Sequence, residues 1–441
     1  MTIAERMDRL PVTRVHIAIV VLGTLGLFVD IGEVAISNAL GVVFLAPPYR
    51  VAQSDLSLLL ASVFAGGAIG APVFGWIGDR YGRRTALQLA LGLICVSSLG
   101  ASASPDVQWL TIWRFASGLA IGGYPPLTSA YLSDVLPPAR RGMLMMLCAA
   151  FGFLGAPTMI FLVRELGATP PLGIEAWRWA LATGGVVSAL GAALFGLVPE
   201  SPRWLASVGR QREAEQAALG FERAAGIVSP PGAEAAPFVE TPQNSFRMLA
   251  TPRHRPRLVY LVTLYMLGPW ATIGFPLLSG VVLVAKGFPV RESLLFAAVT
   301  MFGPTVGNVV AASFIDRIER WVTLAGCATL MIVTGLLFAA SNTFVSLVVA
   351  GVAFNLLAAV FSASLAVYGA ELFPTALRAS AVATGWGSGR VISALVPVAL
   401  LPLLTGYGAL AMFGVIGVAL ALVVALIVLA GPPGLSRKPL T

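Results

Sequence analysis

Residues Gly75–Arg84 read GWIGDRYGRR, and residues 312–321 read ASFIDRIERW. Each follows a long apolar run, and each sets an Asp-Arg pair just past it: Asp79 and Arg80 in the first, Asp316 and Arg317 in the second. The offset is 237 residues. A second pair of loops repeats at the same offset. YLSDVLPPARRG carries Tyr131, Asp134, Pro137 and Arg141; YGAELFPTALRA carries Tyr368, Glu371, Pro374 and Arg378. Two loop motifs recurring at one spacing make the chain two halves in parallel repeat, an arrangement found among membrane transporters.

Working outward from the loops, apolar runs of spanning length fall near residues 15–44, 56–78, 85–103, 109–135, 142–163 and 177–198. A second six fall near 258–285, 292–314, 321–340, 344–370, 379–404 and 409–430. Twelve spans of ~20 residues need about 240 apolar positions. With 57% of 441 residues hydrophobic and 11% charged, the chain supplies them and lacks the polar surface of a soluble enzyme. The organisation predicted is a six-helix bundle over 1–198, a central loop with a surface helix over 199–257, and a second six-helix bundle over 258–441. The fold class is all-α and polytopic.

The net charge of +8 does not point to nucleic acid, because its placement is topological. With the N-terminus inside, twenty-one of the 28 Lys and Arg fall on inside segments and five on outside ones. The remaining two, Arg114 and Arg390, lie within spans. By the positive-inside rule both termini and the central loop are cytoplasmic, in a cell inner (plasma) membrane. Cys95, Cys148 and Cys327 fall in apolar segments, and His16 and His254 are far apart, so no metal or disulfide framework is expected. The polar N-terminus precedes an apolar run too long for a signal peptide, so the first helix is expected to stay. No P-loop and no nucleophile–His arrangement is present. The expectation is a non-enzyme without cofactors, acting as a monomer in the lipid bilayer.

Gly75-x-x-x-Asp79-Arg80-x-Gly82-Arg83-Arg84 resembles the signature loop of the major facilitator superfamily. Pro199-Glu200-Ser201-Pro202-Arg203-Trp204-Leu205 resembles the motif shared by its sugar-porter, organic-ion-transporter and synaptic-vesicle-protein-like branches, and Glu371-x-x-Pro374-x-x-x-Arg378 matches the same relatives. The resemblance covers essentially the whole chain and implies metabolite transport by alternating access. Ala312, Glu319 and Trp321 stand where the first half has Gly75, Gly82 and Arg84, which implies unequal gating roles. In physical terms, Gly75 and Gly82 allow close approach and a tight turn. Asp79 can accept from the amides of a helix N-terminus or pair with an Arg. The loops then act either as a latch that holds one conformation or as plain positive-inside turns.

Ionisable groups inside a span mark function by default. Asp30 and Glu33 lie three apart on the first span, Arg114 on the fourth and Arg390 on the eleventh. Shifted by the repeat offset, their positions hold Leu267, Trp270, Gly351 and Phe153. The charges are therefore unrepeated and read as task residues. Asp30, Glu33 and Arg114 are the proton-coupling candidates, with an Asp30–Arg114 contact that makes and breaks as the carboxyl loses and gains its proton. A static ion pair is the other reading, and Glu33 is open as a second proton site, a cation-binding group or the Arg114 partner. The resemblance adds that proton-coupled relatives carry an acid and an Arg at matching places on these spans.

Arg390 lies about eleven residues into its span, ~16 Å along it at 1.5 Å per residue, so near mid-membrane. Its planar fork suits a carboxylate. The other reading bonds it to helix carbonyls or a partner acid. Trp386 lies one turn earlier on the same face, and Tyr124, Tyr265, Trp270, Asn308 and Asn355 are further lining candidates. The expected substrate is a small organic acid, possible aromatic character following from Trp386. The alternatives are proton-linked efflux of drugs or metabolites and sugar transport. Against sugar, the seventh span has no Asn or Gln and the eighth has only Asn308. Glycine pairs Gly66–Gly70, Gly118–Gly122 and Gly303–Gly307 read as tight helix packing.

Overall fold

The computed structural model describes residues 2–227, 248–249, 251–314, 318–373 and 375–431. They are helical, as the apolar runs require, and no strand occurs among them. In hydrocarbon each backbone amide must be satisfied within its own segment, which a helix does. A short α1 (Ile3–Arg9) precedes the first bundle. The bundle comprises α2 (Arg14–Leu45), α3 (Gln53–Tyr81), α4 (Arg83–Ser102), α5 (Val107–Val135), the broken pair α6 (Pro138–Gly152) and α7 (Gly155–Ala168), and α8 (Ala176–Phe195). Then come α9 (Pro202–Ser207) and α10 (Gln211–Ala224). The second bundle begins with the broken seventh span, α11 (Arg255–Leu267), α12 (Pro269–Thr272) and α13 (Gly274–Ala285). It continues with α14 (Val290–Thr300), α15 (Phe302–Phe314), α16 (Arg320–Ala340), α17 (Phe344–Glu371) and α18 (Thr375–Ala430).

Ten helical stretches among the described residues are long and apolar enough to cross a membrane by length and composition. The α5 helix has the length, 29 residues, but carries Arg114 and Asp134. The α18 helix is long enough for two spans and turns at Gly408, whose φ of 83° is open to glycine. With α5 added and α18 divided, the spans are twelve. Large apolar side chains such as Leu58, Val96, Ile112, Val186 and Val345 point outward. Hydrocarbon, not water, makes that surface stable.

The glycine pairs set the helix spacing. A Cβ on Gly118 would run into the Val63 carbonyl, and one on Gly122 into the Gly67 carbonyl, so α3 and α5 touch backbone to backbone. Between bundles, α2 packs on α13, α3 on α18, α7 on α14 and α6 on α15. Among the described residues two hydrogen bonds cross from bundle to bundle. The Asn38 amide donates to the Pro276 carbonyl, and Arg164 Nε donates to the Arg291 carbonyl at 3.3 Å. Both lie toward the face away from α1 and α9. Gly41 against Val281 and Gly280 against Val42 close the same end, with no room for a Cβ.

The face that carries α1, α9 and α10 is held by charge. Arg6, 4% exposed, donates to both oxygens of Glu222 (2.7 and 2.9 Å) and of Glu215 (2.7 and 2.8 Å). Asp8 accepts from Arg203 at 2.6 Å and meets Arg141 at 3.5 Å. This clamp ties α1 and α10 to the first bundle.

Candidate functional site

The first-half loop motif folds into a bonded network. Gly82, at φ 111°, turns the chain from α3 into α4 in one residue. The Glu200 carboxylate occupies the space a Cβ there would need. It accepts from the amides of Arg84 (3.0 and 3.1 Å) and Thr85 (3.4 Å), so an anion sits on the N-terminus of α4. Burial pushes the Glu200 carboxyl above the ordinary Glu range, and these amides and the Arg84 charge pull it back. Asp79 takes the other option open to it, an ion pair with Arg83 at 2.5 Å. Arg83 also reaches Asp134 at 3.7 Å. Asp134 accepts from Ser201 Oγ at 3.1 Å, and Trp204 Nε1 donates to the Asp79 carbonyl at 2.9 Å. Arg84 donates to the Val198 carbonyl at 3.0 Å, and Arg80 stacks against Trp76 and Tyr81. The PESPRWL string is thus the partner of the loop. Gly75 departs from expectation: a Cβ there meets nothing within 4 Å, so close packing does not explain it.

In the second half Arg320 Nε lies 3.3 Å from Glu371. Arg320 and Glu371 are Arg83 and Asp134 shifted by the repeat, so the same pair recurs. Sequence reading matched Asp134 with Glu371 and overlooked their arginines. The signal was present, since GRR and ERW align with Arg in the middle. Asp316, Arg317 and the Arg378 side chain lie outside the described residues.

Within the membrane the expected Asp30–Arg114 contact is not formed. Arg114, 1% exposed, donates to Glu33 Oε2 at 2.6 Å, to the Glu33 carbonyl at 2.6 Å and to Ser37 Oγ at 2.8 Å. Ser98 donates to the other Glu33 oxygen at 2.8 Å. Helix geometry decides this choice. Glu33 and Ser37 are one turn apart and face α4 and α5 together, whereas Asp30 is rotated away. Of the three options open for Glu33, the structure takes the Arg114 partner.

Asp30, 3% exposed, makes no hydrogen bond or salt bridge among the described residues, and its Oδ1 is buried without a partner. The charge that acts on it most is Arg390, from the other bundle. Arg390 in turn makes no hydrogen bond or salt bridge among the described residues. Its guanidinium lies 4.9 Å from the centre of the Trp386 ring, and Trp386 is 40% exposed. Neither helix carbonyls nor a partner acid hold it. Tyr124 packs on Gly26, one turn before Asp30, where a Cβ would overlap its hydroxyl. Tyr265 packs on Gly385 and Gly389, beside Trp386 and Arg390. Both hydroxyls are buried without a hydrogen-bond partner of good geometry.

The remaining candidates divide differently. Asn308 donates to the Pro304 carbonyl of its own helix at 3.0 Å. Asn355, fully buried, donates to the Thr300 carbonyl at 3.1 Å and so supports the break between α14 and α15. Trp270 packs against the apolar core at the break in the seventh span. The structure therefore brings together Asp30, Tyr124, Tyr265, Trp386 and Arg390, and assigns Asn308, Asn355 and Trp270 to helix and core contacts.

Residues 19–440 match the family described as "Sugar (and other) transporter". The chain belongs to that family. The niacin transporter NiaP of Acinetobacter baylyi is 25% identical over 388 residues, covering 88% of this chain and 87% of that protein. The arabinose-proton symporter of Bacillus subtilis is 37% identical over 213 residues, 46% of each chain. The partially occluded inward-open structure of the xylose transporter XylE from E. coli superposes with a TM-score of 0.73 at 20% identity, covering 95% of this chain and 98% of that one. The fold is that of the major facilitator superfamily, and the protein is a multi-pass membrane transporter.

Proposed function

We propose that this transporter carries a small organic carboxylate, with an aromatic ring accommodated on Trp386, in symport with protons across an inner membrane whose cytoplasmic side bears both termini. One observation carries the reading. Arg390 stands near mid-membrane, stacked on Trp386, with no carboxylate of the protein within ion-pair reach. An unpaired guanidinium in low dielectric is stable only with an anion, and a substrate carboxylate supplies one. Asp30 is the coupling group in this reading. When a carboxylate neutralises Arg390, Asp30 loses the cation that favoured its charged form and takes a proton. Glu33 and Arg114 act as a fixed brace between α2, α4 and α5. The niacin relative supports an acid substrate.

The arabinose and xylose relatives support sugar as a second reading to the same degree. The spent amide of Asn308 weighs against it. A thermal-shift screen of small acids and sugars on purified protein separates the two. Stabilisation by sugars and by no acid, with Arg390→Ala indifferent, overturns the carboxylate reading. Coupling is tested in vesicles with Asp30→Asn, which should lose proton-driven accumulation and keep substrate exchange. Untouched accumulation removes Asp30 from the coupling role.

A further inference from the structure

The mid-membrane site holds one acid and one base on opposite bundles, neither of them spent on the protein. Arg390 and Trp386 come from α18, Asp30 from α2. Around them are the unpartnered hydroxyls of Tyr124 and Tyr265. The groups facing Asp30 are few. Glu33, on the same helix, is bonded to Arg114 and Ser98. Tyr124 comes from α5, and Cys148 from α6 lies behind it, packed toward Gly23. The broken fifth span contributes Gly155 and Met159 against Gly32, with nothing to titrate. The only cation facing Asp30 that is not already salt-bridged is Arg390 among the described residues.

Two opposite charges in low dielectric make the net charge of the loaded site the quantity that matters. A simple carboxylate on Arg390 leaves Asp30 with no cation to face, so its loaded form needs a proton there. A substrate that carries its own cationic group beyond the ring brings the counter-charge with it. Its cation donates to Asp30 directly, and the proton has no place.

We propose that the site loads at constant charge: a carboxylate is bound with a proton on Asp30, whereas a zwitterion spanning Arg390 and Asp30 is bound with Asp30 ionised and no proton. Coupling is then a property of the substrate, and the same protein is a proton symporter for acids and an uncoupled carrier for zwitterions of the same shape. This rests on the carboxylate reading above, with Arg390 as the anchor.

The test uses two isosteres, 3-ethylbenzoate and 3-(aminomethyl)benzoate, which differ by a methyl against an ammonium group. Purified full-length protein in detergent is titrated with each at neutral pH in weak buffer containing a pH indicator. The expected result is that both bind and that the benzoate-loaded form holds about one proton more than the aminomethyl-loaded form. In Asp30→Asn the difference disappears, and the affinity for 3-(aminomethyl)benzoate falls roughly tenfold or more, as for loss of a charge-assisted hydrogen bond. The affinity for 3-ethylbenzoate is kept in that variant. Equal proton counts for the two ligands in the wild type overturn the inference and leave the carboxylate reading standing. Binding of 3-ethylbenzoate alone does the same. If neither compound binds, the carboxylate reading itself falls and the inference goes with it.

Discussion

Replacing Arg114 by Met separates a brace from a switch. Both side chains of the Glu33–Arg114 pair are at most 1% exposed, and they sit 2.6 Å apart. Arg114 also holds the Glu33 carbonyl and Ser37, so one guanidinium ties α5 to α2 by three bonds, and Ser98 adds α4. Removing the cation leaves a buried carboxylate with one serine for company. Breaking a buried pair in this way costs about 3–5 kcal/mol. At about 2–4 °C per kcal/mol for a unit the size of one bundle, the apparent melting temperature should drop by roughly 6–20 °C. Glu33→Gln should show a loss of the same order, and a Glu33→Leu/Arg114→Met double variant should lose less than either single, because no charge is left unpaired. The assay is tryptophan-fluorescence melting in detergent at one scan rate, with Asp30→Asn alongside as a buried carboxylate that no bond holds. Asp30→Asn should melt at or above the wild-type temperature. Single variants of Glu33 and Arg114 that melt with the wild type would refute the brace and return Glu33 to the titrating candidates.

Other expectations follow from single contacts. Gly118→Leu forces α3 and α5 apart, since its first side-chain carbon already meets a carbonyl; the cost exceeds the ~1–3 kcal/mol of ordinary overpacking, and size-exclusion profiles should show loss of a monodisperse peak. Arg83→Ala and Arg320→Ala remove equivalent pairs, but Arg83 serves both Asp79 and Asp134, so Arg83→Ala should slow transport more in vesicle uptake. Equal effects would argue for symmetric gating. Glu200 has its carboxyl raised by burial, so the ionised form is the costly one in the folded state. That cost is present above its folded value and fades as pH falls, so the wild type should gain stability between about pH 7 and pH 5. Melting curves of Glu200→Gln should lack this gain, and a parallel pH dependence in both proteins would contradict the sign.

Much of the fold was legible because membrane spans are long and lipid-facing residues must be apolar; the span boundaries read from sequence fall within a few residues of α2, α4, α16 and α17. The breaks in the fifth, seventh and eighth spans were not legible, since Gly152, Gly268 and Gly303 look like the many glycines that only pack. The partner of Arg114 was misjudged for a geometric reason. Asp30 and Glu33 share one side of α2 by spacing, yet the ~60° between positions three apart on a helix is enough to point one at α5 and the other at the opposite bundle. Tyr265 was named only in passing, and its place became clear through the glycines of α18 it packs against.

The repeat offers a way to sort these residues, and the structure refines it. Arg83 with Asp134, and Arg320 with Glu371, are the same contact made twice, which is what a scaffold element should be. The in-membrane charges occur once, and the backbone gives a reason. The second-half counterparts of Asp30 and Glu33 are Leu267 and Trp270, and they fall at the end of α11 and inside α12, where Pro269 interrupts the seventh span. A helix broken there cannot present two side chains on one continuous face toward neighbouring helices. The brace built on Glu33 needs α2 to run unbroken from Asp30 to Ser37, and it does. The counterpart of Arg390 is Phe153, at the break between α6 and α7. The two halves have therefore diverged at the level of helix continuity where they meet at mid-membrane. A continuous first span carrying an acid faces a continuous eleventh span carrying a base, and their broken counterparts carry neither.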